Sequence, residues 1–173
     1  FMASHAGTYV DIALSPKGDG AHTAQVADNG TTGGNKRGTF AVDWQMSRTA
    51  NTHVASGSYA TIGGGQNNTA SGLESTVGGG TTNIASGAGA TVGGGYNSSA
   101  TDANSTVGGG HTNVASGAQA TVGGGFGNIA SGLQSTIGGG TSNTATNNLA
   151  VVSGGQQNNA TGIVATVGGG YVN

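Results

Sequence analysis

A run of three glycines recurs along this chain at one fixed spacing. The triplets begin at Gly63, Gly78, Gly93, Gly108, Gly123, Gly138 and Gly168, and Ser153-Gly154-Gly155 fills the single gap. Each unit of 15 residues reads roughly G-G-G-x-x-N-x-A-S-G-x-x-A-T-V, and a degenerate leading copy runs from Asn51 to Ile62. The period never slips by a residue. A disordered low-complexity tract has no reason to keep register, whereas a stack of identical supersecondary units must keep it. Each unit therefore reads as one rung of an ordered stack.

Two strands are legible in the rung. The residues ending in Val77, Val92, Val107, Val122 or Val167 run small, Thr, β-branched, which suits a short strand with the small and branched residues on one face and Thr on the other. A second strand is expected around Ala70, Ala85, Ala100, Ala115, Ala130, Ala145 and Ala160. Two residues beyond each alanine stand Gly72, Gly87, Asp102, Gly117, Gly132, Asn147 and Gly162. Gly, Asn and Asp tolerate a positive φ, so this column is expected to be a left-handed corner. The triplet is expected to be the other corner, where the missing Cβ lets backbones of coils or chains approach closely. The fold class this implies is all-β, a parallel β-solenoid of 15-residue coils spanning residues 51–173.

Residues 1–50 have a different character. They hold all four cations (Lys17, Lys36, Arg37 and Arg48), the only Trp and Pro, and the strand-like pieces "GTYVDIAL" and "GTFAVDWQ". They read as a small β cap or adaptor, which a solenoid needs because an open terminal coil exposes unpaired backbone. No signal peptide is legible. Phe1 in place of Met, and a stop inside a repeat at "GGGYVN", lead to the expectation of further chain on both sides.

Composition narrows both assembly and function. With 38 Gly in 173 residues, 34% hydrophobic and 5% aromatic, the chain is too poor in large apolar side chains for an ordinary globular core. A coil that buries one Val and two small residues is expected to gain further burial from copies of itself, which points to a homo-oligomer. Collagen is excluded by the clustered glycines and the single Pro16. The repeats carry no Lys or Arg, so nucleic acid is not an expected partner. No apolar run approaches the roughly 20 residues of a membrane helix. The absence of cysteine removes disulfides and thiolate metal sites without fixing the compartment.

The motifs of chemistry are missing. Glu74 and Asp102 stand alone nearly two coils apart, and Asp11, Asp19, Asp28 and Asp43 form no catalytic cluster in the sequence. No G-K-[ST] follows the triplets, no aspartate follows them as calcium rolls require, and His5, His22, His53 and His111 lack ligand spacing. No enzymatic activity, metal or cofactor is expected. Two columns remain. Gln66, Thr81, Tyr96, His111, Phe126, Thr141, Gln156 and Tyr171 follow the triplets, and the rings of Tyr96, Phe126 and Tyr171 are candidate ligand contacts, since aromatics stack on sugars. Packing between neighbouring chains or coils is the alternative role. The threonine column from Thr61 to Thr166 lacks the parallel second column of an ice-binding face, because the position two residues earlier varies.

The pattern "TVGGGxxNxASGxxAT" resembles the short-coil head repeats of trimeric autotransporter adhesins and, more closely, repeats of phage tail-fibre proteins. The flanking "GGNKRGTFAVDWQMSRTANTHVASGSYATIGGG", Gly33 to Gly65, is similar to lead-in segments with an "RG...AVD.Q..R" core that precede such repeats. Together the resemblance covers residues 33–173. It implies a left-handed β-roll, a homotrimer, and a structural role as a tail-fibre shaft on an extracellular virion, supporting host attachment. Implied partners are neighbouring fibre or baseplate proteins and a host-surface glycan. The alternative it implies is a trimeric adhesin on a bacterial surface that binds a host or matrix ligand.

Overall fold

The structure, a computed structural model, describes Gly34, residues 36–45 and residues 47–173. The stretch "GTYVDIAL" lies outside the described residues. Among those described there is no helix. The elements are 16 strands of two residues each. Nine, from Val42–Asp43 through Thr61–Ile62 to Thr166–Val167, stack side by side in one parallel sheet, and seven, from Thr69–Ala70 to Asn159–Ala160, form a second. Partners lie one period apart: Thr121 pairs with Thr106 and Thr136, and Ala130 with Ala115 and Ala145. A third column of single-residue parallel bridges links Gln66 through Tyr96, His111 and Phe126 to Tyr171. The chain is thus the expected all-β, parallel β-solenoid. From Thr61 to Thr166 its seven strand spacings of about 4.8 Å give a rod of about 34 Å.

The strands alternate as the sequence predicts. Ile62, Val77, Val92, Val107, Val122, Ile137 and Val152 are fully buried, while the residues before them, threonine in every case but Val151, are half-buried on the outer face. Facing the branched residues across the interior are the alanines from Ala55 to Ala160. Between these files run Ala60, Ser75, Ala90, Ser105, Ala120, Ser135 and Ala150, all buried. Each coil therefore closes on one branched residue and two small ones, an interior too narrow for two large side chains. The Ser75 hydroxyl donates to the Gly72 carbonyl at 2.8 Å and that of Ser105 to Asp102 at 2.7 Å, whereas the buried Ser135 hydroxyl meets no partner among the described residues.

The corner differs from the expectation. Gly72, Gly87, Asp102, Gly117, Gly132, Asn147 and Gly162 do not take a positive φ. The left-handed residues fall two positions later, at Glu74 (57°), Gly89 (65°), Asn104 (54°), Gln119 (58°), Gln134 (55°), Leu149 (60°) and Val164 (60°). Crowding explains the small residues instead. A Cβ on Gly72, Gly87 or Gly132 would lie 2.0 Å from the carbonyl oxygen of the same column in the following coil, and one on Gly117 2.1 Å. Where Asp102 and Asn147 interrupt the glycines, each side-chain oxygen accepts the next backbone N–H, from Ala103 at 2.7 Å and Asn148 at 3.1 Å.

A second left-handed corner runs through Asn67, Thr82, Asn97, Thr112, Ser142 and Gln157. At both corners the left-handed residue donates its N–H to the preceding coil: Gln119 to Ala103 at 2.8 Å, Thr112 to Tyr96 at 2.9 Å. A left-handed L-residue costs about 1–2 kcal/mol. A hydrogen bond contributes about 0.5–1.5 kcal/mol and offsets much of that, which is how Thr82 and Val164 are held where glycine would be easier.

The lead-in is part of the stack. Val42 pairs with Thr61 and Ser47 with Gln66, both 19 residues on, whereas Ala55 pairs with Ala70 at the ordinary 15. Solenoid pairing therefore begins before residue 51, with four extra residues between Ser47 and Ala55. The "RG...AVD.Q..R" residues close this coil. The Asp43 carboxylate lies 3.2 Å from both Arg37 and Arg48, with Asp43 and Arg48 buried. Arg48 also donates to the His53 carbonyl at 2.9 Å. Gln45 donates to the carbonyls of His53 (2.7 Å) and Asn68 (2.8 Å) and accepts the Asn68 N–H at 2.7 Å. Backbone groups that a terminal coil would leave unpaired are met by these side chains.

Candidate functional site

The triplet and the asparagine that follows it build one unit. Asn68, Asn83, Asn113, Asn128, Asn143 and Asn158 are fully buried. In each, the amide nitrogen donates to two carbonyls, that of the middle glycine in its own coil and that of the third glycine in the next; for Asn128 these are Gly124 and Gly140, both at 2.9 Å. Its amide oxygen accepts the N–H of the next asparagine, Asn143, at 2.9 Å. Gln45 supplies the same acceptor to Asn68 and so begins the ladder.

This ladder fixes what each glycine does. The first donates its N–H to the following coil, as Gly93 does to Val107 at 2.9 Å. The third has a positive φ, 94° at Gly125, and a Cβ there would lie 2.1 Å from the Gly140 oxygen. The middle one is different: a Cβ on Gly79 or Gly109 would meet nothing within 4 Å. With the carbonyls turned to asparagine, the N–H groups of the middle and third glycines meet no acceptor among the described residues.

The residue after the triplet donates its N–H to the third glycine of the next coil, Tyr96 to Gly110 and His111 to Gly125 at 2.9 Å, and its side chain stands outside. Tyr96 and Phe126 are 52% and 48% exposed. The Tyr96 and His111 ring centroids lie 4.9 Å apart with planes at 86°, and those of His111 and Phe126 lie 5.0 Å apart at 84°. The structure therefore brings two of the three candidate rings onto one ladder and leaves Tyr171 apart, separated from Phe126 by Thr141 and Gln156. His111, the centre of the ladder, carries no motif of its own; its place in the column after the triplet was the available signal.

One rung departs from the asparagine pattern. Ser98 replaces the amide, accepting the Asn113 N–H at 3.2 Å and donating to the Tyr96 carbonyl at 3.4 Å. Its coil lacks the amide bonds to Gly94 and Gly110. Ser98→Asn is expected to stabilise the fold by about 1–2 kcal/mol, because its amide would give the Gly94 carbonyl a donor and the Gly110 carbonyl, which already accepts the Tyr96 N–H, a second one. A urea midpoint unchanged or lowered in this variant would count against the ladder as a source of stability.

Elsewhere the surface is chemically sparse. Glu74 and Asp102 are exposed and are not members of the ring column. Among the described residues no three metal-ligating side chains converge, and no helix is long and apolar enough to cross a membrane. Comparison with known proteins finds no family model and no curated protein that matches the chain.

Proposed function

We propose that the repeats are a rigid, self-associating shaft, a segment of a trimeric viral tail fibre that supports host attachment from outside the cell. One observation carries this reading. The pairing columns run without a gap from the lead-in to the last coil, at a constant 15 residues from Ala55 onward, and a stack in which every unit does the same thing sets length and stiffness rather than chemistry. The likeness of the triplet repeats and of the Gly33–Gly65 lead-in to phage fibres supports the viral assignment, with adjoining fibre or baseplate proteins as neighbours.

Self-association has its own support. Ile84, Ile129, Leu133, Leu149 and Ile163 are between 39% and 69% exposed, on the second sheet and the corner that follows it. The repeats carry only Glu74 and Asp102 as fixed charges, so parallel copies meet little like-charge repulsion. Light scattering is expected to give three chains per particle, and a stable folded monomer would overturn the trimer.

The shaft role is tested by removing one period. Deletion of Gly138 to Val152 keeps the register of every other coil. It should shorten the assembled fibre by about 4.8 Å and leave attachment to the host unchanged. Loss of attachment by a folded, assembled deletion variant would transfer the function to the roll itself, as in a bacterial surface adhesin.

A further inference from the structure

We infer that the strip formed by the glycine triplets and the Tyr96–His111–Phe126 ladder is a binding site for an extended β-1,4-linked polysaccharide lying along the rod. The inference is independent of whether the rod is a fibre shaft. Three separate features of the strip converge on this ligand.

The first is the ring ladder. Three rings at 4.9 and 5.0 Å, with Tyr96 and Phe126 about half exposed, present aromatic surface in single file along one corner of the solenoid. The axial C–H faces of a pyranose pack on such rings, and its hydroxyls need polar neighbours at the edge. Thr81 and Thr141 flank the ladder in the same column and supply them.

The second is the donors. Gly94 and Gly95, Gly109 and Gly110, and Gly124 and Gly125 carry N–H groups with no acceptor in the described chain, two per coil beside each ring. Their carbonyls are taken by asparagine, except where Ser98 interrupts the ladder. The strip therefore offers hydrogen-bond donors and asks for acceptors, which sugar hydroxyl and ring oxygens provide.

The third is room. The middle glycine is never replaced in eight coils, although a Cβ there meets nothing closer than about 3.6 Å. The first glycine, where a Cβ on Gly138 would lie 2.4 Å from a carbonyl oxygen, is replaced by Ser153. The middle position is thus as invariant as the crowded third, and although a φ of 157°, 159° and 128° favours glycine at Gly64, Gly94 and Gly169, the backbone at Gly79, Gly109, Gly124, Gly139 and Gly154 borders open space that something outside the chain can enter. That partner must repeat with the coil. A β-1,4 chain advances by nearly one strand spacing per sugar and turns half a revolution each time, so equivalent faces recur at every second coil, the separation of Tyr96 and Phe126.

Titration calorimetry of the assembled protein with cellohexaose and with chitohexaose tests this. Binding of at least one is expected, weakened about tenfold or more in Tyr96→Ala and in Phe126→Ala and unchanged in Tyr171→Ala, whose ring stands outside the ladder. Gly109→Leu places a side chain in open space, so it should fold as the parent does and lose binding. Failure of both hexasaccharides to bind, or binding insensitive to the rings and to Gly109→Leu, would overturn the site. Neither result bears on the length of the rod or its oligomeric state.

Discussion

Gly125→Ala is expected to destabilise the rod by about 3 kcal/mol or more, while Gly124→Ala, one residue earlier, changes its stability by less than about 0.5 kcal/mol. The contrast follows from what each Cβ would touch. At Gly125 the backbone has a φ of 94°, and the added atom would lie 2.1 Å from the Gly140 oxygen and 2.8 Å from the Asn128 amide nitrogen. Neither neighbour can retreat, because the oxygen receives the Phe126 N–H and the Asn128 amide, both at 2.9 Å. At Gly124 the nearest atom is the Gly109 oxygen at 4.0 Å. Urea unfolding followed by circular dichroism reads the difference directly. Equal effects of the two substitutions would mean that the triplet is a flexible corner and that the packing between coils described above does not govern it.

Why the triplet could be read only in part from the sequence follows from the same geometry. The period alone gave the stack, since a solenoid is the architecture in which register is itself the signal. The inward Val and Ala files were legible because alternation of period two is local to each strand. The corner was misplaced because small and Asx residues have two causes, a positive φ or a close backbone, and Gly72 and Gly117 answer to the second. The true left-handed columns do contain Asn67, Gly89, Asn97 and Asn104, but they mix these with Glu74, Thr82, Leu149 and Val164, which give no local hint, so neither column stands out. What holds them is a carbonyl in the coil below, a partner set by the fold and not by the neighbouring sequence. Asp43 is similar: in sequence it is one of several scattered acids, and only the lead-in coil sets it between Arg37 and Arg48. The ring ladder stood half in view, as a column whose members were visible but whose contacts depend on one coil stacking on the next.

Asn128→Leu should be the most damaging change of similar side-chain size in the repeats, costing about 2–6 kcal/mol. Leucine fills much the same space but strands the Gly124 carbonyl and the buried Asn143 N–H, two backbone groups at about 1–3 kcal/mol each, and takes from the Gly140 carbonyl one of its two donors, leaving it the Phe126 N–H. Asn128→Ser should cost less, because the chain already contains that solution: at Ser98 a hydroxyl still accepts the N–H of the next rung. The expected order of stability is therefore Asn, then Ser, then Leu. The position of the lesion adds a second readout. In a stack whose units touch only their neighbours, a broken rung near the middle uncouples the coils on either side of it. Hydrogen exchange should show the coils around Asn128 losing protection while those near Gln45 and Asn68, held by the Asp43, Arg37 and Arg48 cap, keep theirs. A leucine variant as stable as the parent, with uniform exchange along the rod, would show that the asparagines only fill space and that the strand ladders alone hold the coils together.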